Sequence, residues 1–310
     1  MSPNPRLTGA LRLDDWGVIR ASGADAANFL HSQLTQDFTH LAEGQARLAG
    51  YCSAKGRLLA SFIAWRSGPD EVLLACSADL LPQTLKRLSM FVLRSKCKLD
   101  DASADWPLYG LAGDTAQQWL GADAPAAAWQ LHIGTPGQVI RLPDAQATAR
   151  FLLALPADAA APPLPPLAAD AWRWLEVHSG VARIVAPTVE HFVPQMVNLE
   201  LVGGVNFQKG CYPGQEIVAR SQYRGTLKRR AMVFDSDADL QPGQEVFHSG
   251  DPAQPAGLVA NAGRLTDVGS SALVELKLAA LGSGSWHLGA ADGPLLRQAA
   301  LPYAFPTEPA

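Results

Sequence analysis

Residues 205–230 read VNFQKGCYPGQEIVARSQYRGTLKRR, the densest run of reactive and hydrogen-bonding side chains in the sequence. At its centre stands Lys209-Gly210-Cys211-Tyr212-Pro213-Gly214-Gln215-Glu216. Lys209 brings a positive charge, Cys211 a soft nucleophile, Tyr212 a ring with a polar tip, and Gln215 and Glu216 an amide and a carboxylate. Gly210 and Gly214 free the backbone to reach φ > 0 or to approach a ligand closely. Pro213 reads as the first residue of a helix, where its missing N–H is not needed and its φ is already set. Glu216 then falls in the first turn, and Ile217, Val218 and Tyr223 continue an apolar stripe to Gly225. Cys211 is thus expected in a loop entering a helix N-terminus two residues from Lys209, a setting that favours a thiolate. The bland reading of the same residue is a small buried hydrophobe.

The octapeptide, with Val218-Ala219-Arg220 and Arg224-Gly225 after it, resembles the signature of the YgfZ family. These are folate-binding relatives of the glycine-cleavage T-protein (aminomethyltransferase) that assist iron–sulfur enzymes. Phe192-Val193-Pro194-Gln195 and Asn198-Leu199 resemble the family's segment just upstream. Gln33-Leu34-Thr35-Gln36-Asp37, Lys55-Gly56-Arg57 and Met90-Phe91-Val92-Leu93-Arg94 resemble its earlier motifs, so most of the chain is covered in the right order. The resemblance implies an α+β, three-domain aminomethyltransferase-like fold, with ferredoxin-like α/β units and a C-terminal β-barrel around a central channel. It implies tetrahydrofolate, or a one-carbon-substituted form, in that channel with its pterin on Glu176. Cys211 would face the ligand, activated by Lys209. The implied partners are iron–sulfur client enzymes, tRNA-modifying ones included, or assembly factors.

Composition narrows the field independently. Nearly half of the 310 residues are hydrophobic and 17% are charged, which allows a sizeable core in two or three domains. A net charge of −4 argues against a broad basic face for direct nucleic-acid binding. Cys52, Cys76, Cys97 and Cys211 are far apart, so neither a zinc ribbon nor ferredoxin-type cluster ligation is supported. No metal site is expected, because His31, His178 and His191 have no partner at ligand spacing. Separated thiols, no apolar leader and no uninterrupted apolar run of membrane-spanning length predict a cytoplasmic protein.

Along the chain, strands are expected at 17–21, 46–52, 58–65, 71–76 and 96–100, with helices at 25–36 and 79–94. Leu81, Leu85, Leu88, Phe91 and Val92 make the stripe of the second helix. Residues 107–155 repeat this grammar on a smaller scale, and the Ala/Pro stretch 157–169 reads as an extended connector. A helix over 171–180 follows. Strands at 231–234, 245–248, 257–260 and 272–276 indicate a barrel or sandwich. The division is 1–106 plus 170–228 for a discontinuous folate-binding domain, 107–169 for an inserted ferredoxin-like domain, and 229–310 for the barrel.

Two constellations remain. Arg220, Arg224, Lys228, Arg229 and Arg230 form the one basic cluster; read functionally, its guanidinium groups suit a folate's glutamate tail. RNA phosphate ranks below folate as the anion, because the patch is short and has few aromatics. Leu175-Glu176-Val177-His178-Ser179-Gly180 resembles the T-protein segment whose glutamate recognises the pterin, and a carboxylate can accept two hydrogen bonds from an aminopyrimidine edge. Tyr51, Phe192 and Tyr212 are candidates to stack on the ligand. The T-protein's aspartate, which acts on the folate nitrogen receiving the one-carbon unit, has no clear counterpart in Ala75–Leu81; Asp79 is the nearby carboxylate. The expected function is therefore a folate-binding accessory protein, with a folate-dependent aminomethyl or methyl transferase as the alternative.

Overall fold

The computed structural model describes residues 5–223 and 227–305. The chain opens with β1 (Gly9–Arg12), β2 (Trp16–Ser22) and α1 (Ala26–Gln33). β3 (Ala46–Cys52), β4 (Leu58–Gly68), β5 (Glu71–Ser77), α2 (Leu81–Ser89) and β6 (Lys98–Asp101) follow. Next come β7 (Leu108–Ala112), α3 (Gly113–Leu120), β8 (Leu131–Ile133), β9 (Gln138–Ala145) and β10 (Thr148–Ala154). α4 (Ala169–His178) and α5 (Gln215–Tyr223) lead to β11 (Arg229–Ser236). β12 (Glu245–His248), β13 (Gly257–Leu265), β14 (Gly269–Lys277), β15 (Trp286–Leu288) and β16 (Leu295–Ala299) complete the fold.

These elements make two antiparallel sheets, β3-β4-β5-β2-β6 and β1-β7-β10-β9-β8, and a closed barrel, β11-β14-β13-β12-β15-β16. α1 and α2 pack on the first sheet and α3 on the second. β4 and β5 are apolar along almost their whole length and buried on both faces, as strands covered on two sides must be. The largest apolar cluster is common to all three units. It contains Leu48 and Trp65 of the first sheet, Leu142 and Leu152 of the second, and Val233 and Leu273 of the barrel. The Trp65 indole also donates to the Gln138 side chain at 2.5 Å, joining the two sheets inside that core.

α4 lies where the units meet, against β13 and β14 of the barrel and β9 of the second sheet. Its close seat depends on Gly263 of β13, where a Cβ would stand 2.1 Å from the backbone nitrogen of Trp174. The helix stops at Ser179, and Gly180 follows at φ +68°, a left-handed residue of the kind that ends helices.

Several details differ from the sequence expectations. α2 ends at Ser89 rather than 94, because the chain breaks into turns and Leu93 takes φ +44°. Phe91, expected on the buried stripe, is consequently exposed. Strand β1 comes from the first segment of the chain yet pairs with β7 at the edge of the second sheet. The Ala/Pro connector runs alongside β1, with hydrogen bonds from Ala10 N to Pro165 O and from Leu167 N to Ala10 O, both 2.9 Å. β15 and β16 close the barrel but are too short and polar to stand out by alternation.

Because Gly263 sets how closely α4 approaches the barrel, Gly263→Ala is expected to cost about 1–3 kcal/mol through overpacking. Thermal unfolding of the variant should show a clear drop in Tm; an unchanged Tm would mean that this contact is not tight in solution.

Candidate functional site

Glu176 projects from α4 into a small cavity of about 40 Å³. Its walls include Trp16, Phe62 and Trp129, with Arg150 of β10 and Arg183 beyond α4. Glu176 is the one carboxylate among the lining residues. Its side chain is 15% exposed, and its nearest cation is Arg183, at 3.8 Å. Arg183 itself bonds Asp15 at 2.8 Å and stacks over the Trp16 ring at 4.8 Å. Arg150 lies over Trp172 at 4.6 Å. Burial pushes the Glu176 carboxyl above its usual range, and Arg183 and Arg150 offset this only in part. Burial likewise pulls Arg150 down to about 10.

The hydrogen bonding of this cavity is incomplete. Among the described residues no donor is bonded to the Glu176 carboxylate. Among the described residues Trp16 Nε1, Arg150 Nε and Arg183 Nε, all sealed from solvent, find no acceptor. Buried polar groups in native proteins nearly always have partners, so the Glu176 carboxylate, with no bonded donor, is the polar group that this concave site leaves open.

The Lys209–Glu216 motif lies elsewhere. Lys209 is buried and donates to the carbonyls of His31 and Leu34, the latter at 3.0 Å, while its ammonium lies 4.7 Å from the Tyr212 ring centre. Pro213 is not the first helical residue. Gln215 N bonds Tyr212 O at 3.2 Å and Gly214 has φ +79°, which makes Tyr212–Gln215 a turn with Pro and Gly at its centre; α5 begins only at Gln215. A Cβ on Gly214 would stand 2.4 Å from Ser53 O and 2.7 Å from the Gly56 backbone. The motif is therefore packed, glycine against glycine, on the β3–β4 turn that carries Lys55-Gly56-Arg57. On α5 only Val218 is buried; Ile217 and Tyr223, expected on the apolar stripe, are exposed.

Cys211 is exposed, whereas burial pushes the thiols of Cys52 and Cys76 up to about 12. It does not line the Glu176 cavity, so the expectation that thiol and pterin face each other is not met in this conformation. Nor do the expected stacking residues line it. Tyr51 is buried and opens to a separate cleft with Arg87, Phe192 is core, and Tyr212 is held by Lys209. Gln215 makes a long contact of 3.5 Å to Lys209 O, and Glu216 and Arg220 are exposed. Arg224 lies outside the described residues. Of the basic cluster, Arg229 is paired with Glu275 and Arg230 is buried against Glu200, so neither is open to an incoming anion. Asp79 accepts from Ala186 N at 2.9 Å and does not line the cavity.

Trp16, Arg150 and Arg183 went unnoticed in the sequence. A usable signal was present: Arg150 stands in Ala149-Arg150-Phe151-Leu152, and Arg183 in Val181-Ala182-Arg183-Ile184-Val185. A single cation inside an apolar run must be buried with a partner or a ligand. Among the described residues no cluster of His, Cys, Asp and Glu is able to hold a metal ion, and no helix is long and apolar enough to cross a membrane.

The fold with this cavity defines the class. The chain superimposes on the glycine cleavage system aminomethyltransferase T from Bartonella henselae with a TM-score of 0.74 at 16% identity, covering 94% of this chain and 84% of that one. It has the aminomethyltransferase T-protein fold. It is 35% identical to the tRNA-modifying protein YgfZ of Edwardsiella ictaluri over 86% of each chain. It is 33% identical to that of Photorhabdus laumondii (71% of this chain, 68% of the other) and 28% identical to that of Aliivibrio fischeri (88% and 86%). The chain belongs to the YgfZ family. No family model matches it.

Burial pulls the Lys209 ammonium from 10.5 down to about 8. Between those values the unfolded chain holds the extra proton, so the stability contributed by Lys209 is lowest below pH 8 and rises from there toward pH 10.5. Urea unfolding of wild type and Lys209→Met at about pH 7.5 and 9.5 should show the variant's deficit growing by about 1–2 kcal/mol. An equal deficit at both values would contradict the burial of this charge.

Proposed function

We propose that the protein binds a tetrahydrofolate in the Glu176 cavity and supports assembly or repair of iron–sulfur clusters in client enzymes through Cys211. The observation that carries this reading is the carboxylate of Glu176, desolvated and without a protein donor, in an aromatic-walled cavity. An aminopyrimidine edge presents two parallel N–H groups, which a carboxylate accepts in bidentate fashion. Trp16, Phe62 and Trp129 offer apolar walls for a flat ring. The carboxylate and the aromatic walls thus match a pterin in chemistry, and the cavity must widen to admit the ring. When bound, a reduced folate supplies a carrier for one-carbon units; the chain's own part is to orient the ring and exclude water from its polar edge.

Family membership and the T-protein fold support the folate half of the reading. The name of the relatives, tRNA-modifying protein, favours clients in tRNA modification and with them a cytoplasmic location. For the other half, Cys211 is a free, exposed thiol in a loop braced by Lys209 and Gly214, as a group that must reach another protein requires. The transferase alternative is disfavoured. Proton transfer at the one-carbon nitrogen needs a second carboxylate within reach, and Glu176 is the one carboxylate among the residues that line the cavity.

Titration with tetrahydrofolate tests the ligand. Wild type should saturate, Glu176→Ala should bind at least about tenfold more weakly, and Cys211→Ala should bind as wild type does. Absence of saturable binding by the wild type would overturn the folate assignment. For the thiol, Cys211→Ser should fold normally yet fail to restore cluster-dependent enzyme activity in cells lacking the protein; full restoration would remove Cys211 from the account.

A further inference from the structure

Met90-Phe91-Val92-Leu93-Arg94 has no part in either the Glu176 cavity or the Cys211 loop. α2 stops at Ser89, and successive turns carry the chain on, with hydrogen bonds from Phe91 N to Leu88 O, Val92 N to Ser89 O and Ser95 N to Val92 O. These turns leave Met90 58%, Phe91 44% and Leu93 85% exposed. Leu93 is held there at φ +44°, a left-handed conformation that leucine seldom adopts. Apolar side chains scattered singly over a surface are ordinary, but three large ones between 90 and 93 make a patch, and exposed patches mark sites of interaction.

The surroundings of the patch carry one sign of charge. From Pro82 to Lys98 the chain holds Lys86, Arg87, Arg94, Lys96 and Lys98 and no Asp or Glu, in a protein whose net charge is −4. Lys98 reaches Asp100 at 3.9 Å; among the described residues Lys86, Arg87, Arg94 and Lys96 enter no salt bridge. Asp25 is engaged by the backbone, accepting from Lys96 N at 2.7 Å. Beside Met90 opens a cleft of about 370 Å³, lined by Tyr51 and Val189 together with Lys86 and Arg87, and Glu190 is its one carboxylate. Apolar anchors, a cleft beside them and unpaired cations thus occupy one end of α2.

We infer that this end of α2 is a docking surface for another protein, which it grips through an acidic segment bearing apolar side chains. The apolar side chains of that segment cover Met90, Phe91 and Leu93, and its carboxylates pair with Arg87, Arg94 and Lys96. Met, Phe and Arg are residue types enriched at protein–protein interfaces, and a guanidinium takes a carboxylate bidentately. The same patch on a second copy of this chain is the wrong partner, because basic would meet basic. Nucleic acid would satisfy the cations but not the apolar group: its bases stack on aromatic rings, and Phe91 stands here with two aliphatic neighbours. A lipid surface is met by long amphipathic helices, whereas α2 has nine residues and the exposed apolar side chains lie in the turns after it. The inference goes beyond the folate and thiol roles and depends on neither.

The test is photocrosslinking in cells lacking their own copy, using the full-length protein with p-benzoylphenylalanine at position 93. The same probe at Val268, exposed between β13 and β14, is the control. Position 93 should give a protein adduct that position 268 does not, and mass spectrometry should find Asp or Glu clustered with Leu, Phe or Met in the captured peptide. Charge reversal by Arg94→Glu with Lys96→Glu should cut that adduct at least about tenfold. The altered side chains are exposed, and thermal melts that match wild type establish that each variant is folded. An adduct removed by ribonuclease, or one confined to lipid or to a second copy of this chain, would overturn the inference. So would a captured peptide without acidic residues, a yield indifferent to the charge reversal, or no adduct at position 93.

Discussion

Everything about the central cavity follows from one buried charge. The Glu176 carboxylate has been taken out of water at a cost of several kcal/mol, and its nearest cation, Arg183, is 3.8 Å away without a hydrogen bond. At an effective dielectric near 20 such a pair is worth about 4 kcal/mol, which offsets the desolvation only in part. The arrangement makes sense as a site held ready. Arg183 is committed to Asp15 and to the Trp16 face, Arg150 to the Trp172 face, and the carboxylate keeps its lone pairs for something that arrives. Making that possible requires α4 to sit against the barrel, which Gly263 allows, and the two sheets to close over it, which the shared core enforces.

The motif around Cys211 obeys a different constraint. Here crowding, rather than a charge, is the constraint: a Cβ on Gly214 would collide with Ser53 O and the Gly56 backbone, one on Gly56 would meet the Ile217 side chain, and Lys209 locks the loop to α1 through two carbonyls. The result is a braced loop that leaves the Cys211 thiol exposed. Cavity and thiol are thus built separately, one by burying a carboxylate and the other by bracing a turn. The proposed roles, a small ligand inside and a larger partner outside, call for that separation.

Much of this was legible in the sequence. β3, β4, β5 and the helix bearing Glu176 follow from apolar runs and from Gly180, and the octapeptide marks the loop because Lys, Cys and two glycines have no reason to cluster in ordinary core. What was hidden depends on distance in the fold. Arg229 and Arg230 read as a free basic cluster because their partners, Glu275 and Glu200, lie 46 and 30 residues away. Tyr51 and Tyr212 read as ligand-stacking rings because the sequence does not reveal which face of a strand or loop meets which cavity. β1 joins the second sheet through a partner about a hundred residues on, and no local period reports that. The start of α5 was misplaced for a local reason: Pro213 followed by Gly214 suits a turn as well as a helix start, and the close approach to Gly56 decides between them.

The central claim is that the open carboxylate of Glu176 is the recognition point for a pterin. A crystal structure of the protein with tetrahydrofolate tests it most directly. The account predicts the pteridine ring among Trp16, Phe62 and Trp129, its aminopyrimidine edge within hydrogen-bond distance of both Glu176 oxygens. Folate seated instead in the cleft between Tyr51 and Arg87, with the Glu176 cavity filled only by water, would contradict it.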